Sequence, residues 1–358
     1  MKLAKKYLRE ALALASLRRG FCSPNPCVGA ILVKQQRVIA HGYHWADGHP
    51  HAEAYALRNL DASQVSGATL YVTLQPCCHT NKKTPPCTQL LIKKGIKRVI
   101  YGFRDPNPEV KNDSDQQLQQ AGIRTTQQSL PEIDQFYTSY QFWWKYQRPF
   151  VTAKLAISLD GKSAGDGGRP IQLTGTAAQQ FTHQQRLHTD IILTTAKTIQ
   201  RDNPQLNARI NNLITPKPVA ILDSQLSLSG KETVFRSAKK VFLFYNDNLA
   251  STGLARWSNN PVVQPIAIPR DGTRLDLTAL LGYLGKAGYH DLWVEAGGCC
   301  FQSLVEQRLL QRAFIYVAPK WEGSNAQSAF ENIPALLAAR LGPPRLLGND
   351  TCFEFTWS

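Results

Sequence analysis

The chain has 358 residues, 43% hydrophobic and 19% charged, and its 41 Lys and Arg outnumber 26 Asp and Glu to leave a formal net charge of +15. These are globular values: they exclude wholesale disorder, and the length allows two domains with a core each. No apolar run reaches membrane-spanning length, and Met1 to Gly20 is charged and amphipathic rather than a signal peptide, so a cytoplasmic chain with no membrane partner is expected.

Leu3, Tyr7, Leu8, Ala11, Leu12 and Ala15 fall on one face of a helix that Gly20 would stop. Strands are expected at Gly29 to Val33 and Val38 to Ala40, with a polar turn between them. Pro50 and His51 lead into the helix formers Ala52 to Leu57. Gly67 to Leu74, short and rich in β-branched and aromatic residues, reads as a buried strand. It ends at Pro76, so Cys77 is expected to open the next element. A helix follows Cys87, then a strand at Arg98 to Tyr101 and a turn at Asp105-Pro106-Asn107-Pro108. The aromatic stretch Phe136 to Trp144 reads as a helix near a domain boundary. Residues 1–146 thus form one three-layer α/β domain.

A second domain, 150–358, begins at the strand Val151 to Ala156. Asp190 to Leu193, Val219 to Leu222, Lys240 to Phe244 and Leu292 to Glu295 read as further buried strands. The last runs into Ala296-Gly297-Gly298 and a helix at Cys300 to Gln307. A glycine turn there is either an anion site or a tight turn with no ligand. No G-x-G-x-x-G follows the first strand, which removes an ordinary Rossmann domain.

The chemistry concentrates in the first domain. His51, Cys77 and Cys87 offer one imidazole and two thiolates, the ligand set of a catalytic zinc site that keeps a fourth position for water. Glu53, two residues past the histidine, is placed to carry protons without binding the metal. That ordered set is the kit of zinc-dependent base deaminases. Cys78 could replace Cys77 as ligand, but Cys77 follows the strand-ending proline and is preferred. His79, Lys82, Lys83 and Thr84 make a basic loop, either a solvated turn or a binder of phosphate or base edge. Cys22, Cys27, Cys299, Cys300 and Cys352 have no framework spacing, which suits a reducing compartment. The net charge favours anionic partners. Basic residues are spread along the chain and no RNA-binding signature is present, so a phosphorylated small molecule is favoured over nucleic acid.

Taken together, these segments resemble the bifunctional riboflavin-biosynthesis deaminase/reductase family. In the first half the resemblance is carried by Ser23-Pro24-Asn25-Pro26-Cys27-Val28-Gly29, Pro50-His51-Ala52-Glu53, Thr73-Leu74-Gln75-Pro76-Cys77, Thr84-Pro85-Pro86-Cys87 and Asp105-Pro106-Asn107-Pro108. In the second half it rests on Lys154 to Gly161, Asp202-Asn203-Pro204-Gln205-Leu206, Val294 to Gly297 and Tyr316 to Lys320. The resemblance implies a cytidine-deaminase-like zinc domain followed by a dihydrofolate-reductase-like domain that uses NADPH. It further implies deamination of a diamino-ribosylamino-pyrimidinone 5′-phosphate, then reduction of its ribose to a ribityl chain. Asn25, His44, His79, Lys82 and Thr84 would hold the pyrimidine and its phosphate. Ala156, Thr198, Asp202, Ser224 and Gly297 would line the NADPH site, and Arg186, Leu206, Arg209 and Glu295 would contact the sugar phosphate. The two arginines suit bidentate phosphate binding.

Several positions depart from the family pattern. Gln75 replaces a glutamate, and Asn112 and Ser114 replace glycines. Pro170 and Gln172 stand where the family has a substrate-binding serine and a cofactor-stacking tryptophan. Gln311-Arg312 replace an acidic pair near its oligomer contact, so a homo-oligomer stays an open call. The alternatives are a deaminase with an impaired reductase domain and, from another class, a nucleic-acid-binding or editing zinc deaminase.

Overall fold

The computed structural model describes residues 2–79, 85–111, 113–249, 251–257, 260–330 and 338–357. The chain divides into two compact units, Met1–Gln147 and Arg148–Ser358. No described helix is long and apolar enough to cross a membrane.

The first unit is built on a five-stranded sheet in the order Arg37–Tyr43, Gly29–Lys34, Thr69–Leu74, Arg98–Phe103, Arg124–Gln127. The first two pairings are antiparallel and the last two parallel. Side chains alternate across the pleat, so each strand feeds two cores. Ala30, Leu32, Leu70, Val72, Val99 and Tyr101 pack on one face, together with Ala52, Leu57, Leu91 and Leu118 from the helices above it. Ile31, Val33, Tyr71, Leu74 and Ile100 pack on the other, against Tyr7, Leu8, Ala11, Ile133, Tyr137 and Tyr140. The first helix, Lys2–Ser16, buries Tyr7, Leu8, Ala11 and Ala15. Leu3, expected on that face, lies in its first turn and is exposed.

The helix Ala52–Leu57 presses directly on the strand Arg37–Tyr43. A Cβ added to Gly42 would stand 2.3 Å from the carbonyl oxygen of Ala52, so only glycine lets the two backbones approach this closely. That contact fixes where His51 and Glu53 sit.

In the second unit a larger sheet runs Val263–Ile268, Lys240–Asn246, Pro218–Leu222, Ile191–Thr195, Asp291–Val294, Phe150–Ser158, Arg312–Ala318, Asp350–Thr356, Arg340–Leu341. Neighbours are parallel up to Arg312–Ala318, and the last two strands add antiparallel edges. The central strands are continuous runs of buried Val, Ile, Leu and Phe, as a sheet covered on both faces requires. Helices Leu277–Lys286 and Gly298–Glu306 cover one face, and Thr176–His188 and Ala196–Asp202 the other. Ile191–Thr195 and Asp291–Val294 are adjacent and parallel, so their carboxyl ends open on one side, the usual place for a ligand crevice in such sheets.

Candidate active sites

The first unit brings three donor atoms into one cluster. His51 Nδ1 lies 3.5 Å from Cys77 Sγ and 3.4 Å from Cys87 Sγ, and all three atoms fall within 4.8 Å of one another. A tetrahedral zinc with ordinary Zn–N and Zn–S bonds spaces such donors roughly 3.6 Å apart. The two nitrogen–sulfur spacings match that ion. His51 is the N-cap of Ala52–Leu57, which puts Glu53 in the first turn beside it. Burial pushes the Glu53 carboxyl above its ordinary range, the Cys77 sulfur adds to this, and His51 opposes it.

Cys77, expected to open the next element, lies instead in a stretch with no helix or strand after Thr69–Leu74; the helix begins at Cys87, with Pro86 as its N-cap. The two ligand segments are tied locally: Cys87 N–H donates to Cys77 Sγ at 3.4 Å and Thr88 N–H to the Cys77 carbonyl at 3.1 Å. Cys78 points elsewhere, its thiol donating to the Glu109 carbonyl at 3.2 Å. Ser114, one of the departures from the family pattern, is fully buried and donates to the Pro76 carbonyl at 2.6 Å, bracing the segment that carries Cys77.

Beside the cluster is a pocket of about 220 Å³, lined by Asn25, His44, His51, Glu53, Cys77 and His79 among others. His44 meets His51 edge to face at 5.6 Å, and its Nδ1 lies 3.1 Å from the Pro50 carbonyl. Burial lowers its pKa, partly offset by that carbonyl. Asn25 is turned to Asp47 at 3.1 Å. Lys82 and Thr84 lie outside the described residues. Sequence reasoning missed the far wall: Tyr140, Trp143 and Trp144, on the helix Thr138–Tyr146, face the pocket together with Gln75, Asp105 and Asn107. Tyr137 anchors that helix by donating to the Cys27 carbonyl at 2.8 Å and sharing a 2.6 Å contact with Thr73. The signal was the aromatic run itself, whose helical spacing reads first as core.

The second unit holds an open cleft of about 510 Å³, lined by Lys154, Ala156, Thr198, Asp202, Arg209 and Gly297 as well as His183, Arg186 and Glu295. At its floor Gly298 starts a helix so close to Ala329 that an added Cβ would stand 1.5 Å from the Ala329 carbonyl oxygen. At Gly297 a Cβ would meet nothing within 4 Å, so the glycine leaves bare backbone toward open space, a fit for a large planar or phosphorylated cofactor. Ser224 lies apart from this group, in a neighbouring cavity of about 220 Å³ that shares Thr195, Cys299 and Cys300 with the cleft.

Two residues expected at the sugar phosphate have contacts of their own within the protein. Leu206 has a left-handed φ of 50° and buries its side chain in the core, away from the cleft lining. Arg186 is not a free fork: Nε and Nη2 bind the Glu295 carboxylate at 2.5 and 2.8 Å, and Nη1 donates to the Asn207 carbonyl at 3.0 Å. Burial alone would raise Glu295, but the charge and hydrogen bonds of Arg186, helped by Lys154 and Trp293, hold it at about 2. Lys154 is lowered by burial, with Glu295 opposing. Of the two departures, Gln172 lines the cleft, whereas Pro170 is exposed and outside the lining.

Comparison with known proteins places both units. The cytidine and deoxycytidylate deaminase zinc-binding region matches residues 1–103, and the RibD C-terminal domain matches residues 149–353. The riboflavin biosynthesis protein RibD of Actinobacillus pleuropneumoniae is 33% identical over 360 residues, covering 98% of this chain and 94% of that protein. RibD of Escherichia coli K12 is 33% identical over 362 residues, covering 97% and 98%. A solved structure from Thermotoga maritima, a diaminohydroxyphosphoribosylaminopyrimidine deaminase/5-amino-6-(5-phosphoribosylamino)uracil reductase, superposes with a TM-score of 0.85 at 28% identity and covers 99% of each chain.

Proposed function

Since the chain belongs to the bifunctional deaminase/reductase family of riboflavin biosynthesis, we propose that its two units carry the family's two reactions on one phosphorylated pyrimidine. The first removes a ring amino group by hydrolysis, and the second reduces the ribosyl group to a ribityl chain. It is a zinc- and NADPH-dependent enzyme. The observation that carries the reading is the cluster of His51, Cys77 and Cys87 with Glu53 buried against it.

His51, Cys77 and Cys87 would hold zinc, which when bound makes a water nucleophilic near neutral pH. Glu53 takes a proton from the attacking water and returns it to the leaving amine, work suited to a carboxyl whose burial raises its pKa. His44, Asn25 and His79 border the ring, and Trp143 offers it a stacking face. Lys82 and Thr84 would serve the phosphate.

In the second unit Ala156, Thr198, Asp202 and Gly297 would border NADPH, with Ser224 at an outlying part, and the cofactor supplies the reducing equivalents when bound. Alignment is the protein's share of that step, since no protein nucleophile is required. Lys154, the Arg186–Glu295 pair and Arg209 line the side left for the sugar phosphate. The thiolate ligands Cys77 and Cys87 suit a reducing, cytoplasmic setting.

Incubating the zinc-loaded protein with the pyrimidine phosphate, with and without NADPH, tests the whole reading by product mass. Deamination alone without NADPH, and reduction of the deaminated compound once NADPH is added, are the expected results. An unchanged substrate in both reactions would reject it.

A further inference from the structure

The loop that leads into the deaminase pocket carries two thiols that the deamination does not use. Cys22 and Cys27 flank Ser23-Pro24-Asn25-Pro26, and Pro24, Asn25 and Pro26 line the pocket while neither cysteine does. The chain turns back on itself here, with the Asn25 N–H donating to the Cys22 carbonyl at 2.9 Å. Both sulfurs consequently meet one oxygen: Cys27 Sγ lies 3.2 Å and Cys22 Sγ 3.6 Å from the Arg18 carbonyl. Arg18 is itself pinned, its guanidinium 3.9 Å from the Trp45 ring centroid and its Nε donating to the Trp45 carbonyl at 2.9 Å. A carbonyl oxygen has two lone pairs, and the Phe21 N–H at 3.0 Å takes one on Arg18. Cys27 takes the other, which leaves the Cys22 thiol to donate to the His44 carbonyl at 3.5 Å. Cys22 is thus tied to the backbone of a pocket-lining histidine, and Cys27 to the oxygen that its neighbour also approaches.

Cys22 is fully buried, whereas Cys27 is only half-buried. A reagent from solution therefore reaches Cys27 first, and Cys22 reacts with the sulfur that Cys27 brings in. An accessible thiol beside a buried resolving thiol is the arrangement of a redox-sensing pair. Resting on the deaminase reading above, we propose that Cys22 and Cys27 form a reversible disulfide that turns the deaminase pocket down. The oxidant is a low-molecular-weight disulfide. The Cys27 thiolate attacks one of its sulfurs, its S–S bond breaks, and one half leaves as a thiolate. The Cys22 thiolate then attacks the Cys27 sulfur of the mixed disulfide and expels the second half. Two protein thiols are oxidised, one small disulfide is reduced to two thiols, and the cysteine protons go to the leaving thiolates. Closing the bond ties together the ends of the loop that holds Asn25, and it removes the Cys22 donor from the His44 carbonyl. Transient, redox-sensing disulfides of this kind are compatible with a reducing compartment.

The test uses the zinc-loaded full chain, incubated with glutathione disulfide, quenched in acid, alkylated without reduction and cut with trypsin. Both cysteines fall in one fragment, Gly20 to Lys34, which should appear unalkylated and lighter by the two thiol hydrogens. Deamination should fall about tenfold to a hundredfold, the cost of a small misplacement of substrate-positioning groups. NADPH-dependent reduction of the deaminated compound, carried by the other unit, should not change, and dithiothreitol should restore the parent rate of deamination. Cys22→Ala and Cys27→Ser should each deaminate like the reduced parent and lose the response to the oxidant. Cys27→Ser, at a half-buried position, keeps the test open should Cys22→Ala fail to fold. A fragment carrying only glutathione on Cys27, a linked fragment with unaltered deamination, or a response that survives in Cys27→Ser overturns the proposal. Each of these leaves the deaminase reading intact. A reduced parent that closes the linkage yet never deaminates keeps the disulfide and sinks that reading.

Discussion

The two sites solve their chemical problems in opposite ways. The deaminase pocket is small, and its decisive atoms are one imidazole nitrogen and two sulfurs within 4.8 Å. The reductase cleft has more than twice the volume and is open, and it is lined by small side chains, bare backbone and several exposed charges. A metal ion asks for a few atoms of fixed type at fixed spacing, so nearly every change there is fatal. A long cofactor and a sugar phosphate spread their recognition over many contacts, each of which can be replaced. The metal set is unaltered, while the departures from the family pattern fall around it and elsewhere: Gln75 on the deaminase pocket wall, Ser114 behind Cys77, Gln172 in the cleft and Pro170 outside the cleft lining.

Substitutions can break this contrast. The largest effect is expected from Cys87→Ala, which should strip the zinc and abolish deamination; elemental analysis still finding one zinc per chain would remove Cys87 from the ligand set. Next, Glu53→Gln should keep its zinc while deamination falls about 10²–10⁴-fold, because an amide cannot shuttle protons. Turnover at the parent rate would mean another group moves the proton.

The cleft should respond by degrees. Glu295→Gln breaks a pair whose side chains keep only 12% and 13% exposure, so a loss of about 3 kcal/mol in stability is expected by denaturant titration. The pH dependence has a definite sign. The folded-state pKa of about 2 lies below the ordinary 4.5, so the pair's contribution is complete above about pH 4.5 and is lost as pH falls toward 2. Glu295→Gln should lack that component of acid sensitivity. Gly42→Ala, by forcing Cβ against the helix that carries His51, should cost about 1–3 kcal/mol and lower zinc retention with it. The smallest effect is expected from Gln172→Trp, which should tighten NADPH binding by up to about tenfold through stacking. Adding Pro170→Ser should contribute little, since Pro170 lies outside the cleft lining.

Legibility in the sequence follows the same division. His51, Cys77 and Cys87 could be read together because zinc restricts residue type and order. The central strands could be read because period and β-branching restrict them too. Trp143 and Trp144 could not be assigned to a pocket, since an aromatic stripe on a helix packs a core just as well. The Arg186–Glu295 pair joins residues 109 positions apart, and no local pattern announces it. That Leu206 buries its side chain in the core and that Ser224 lines the cavity adjoining the cleft are tertiary facts which no local pattern announces. Arg340–Leu341 is only two exposed residues, and Asp350–Thr356 mixes polar residues with Cys352, Phe353 and Phe355, which hides both from a search for apolar runs.

The indole wall of the deaminase pocket has an optical consequence. Trp143 and Trp144 stand 5.1 Å apart, edge to face, and both line the pocket that His51 and Cys77 also line. A pyrimidine lying against Trp143 should quench its emission, which gives the first unit a built-in reporter of occupancy. A quench that vanishes in Trp143→Phe belongs to that pocket alone, so binding there could be timed in stopped flow without any label, even while the second unit is at work.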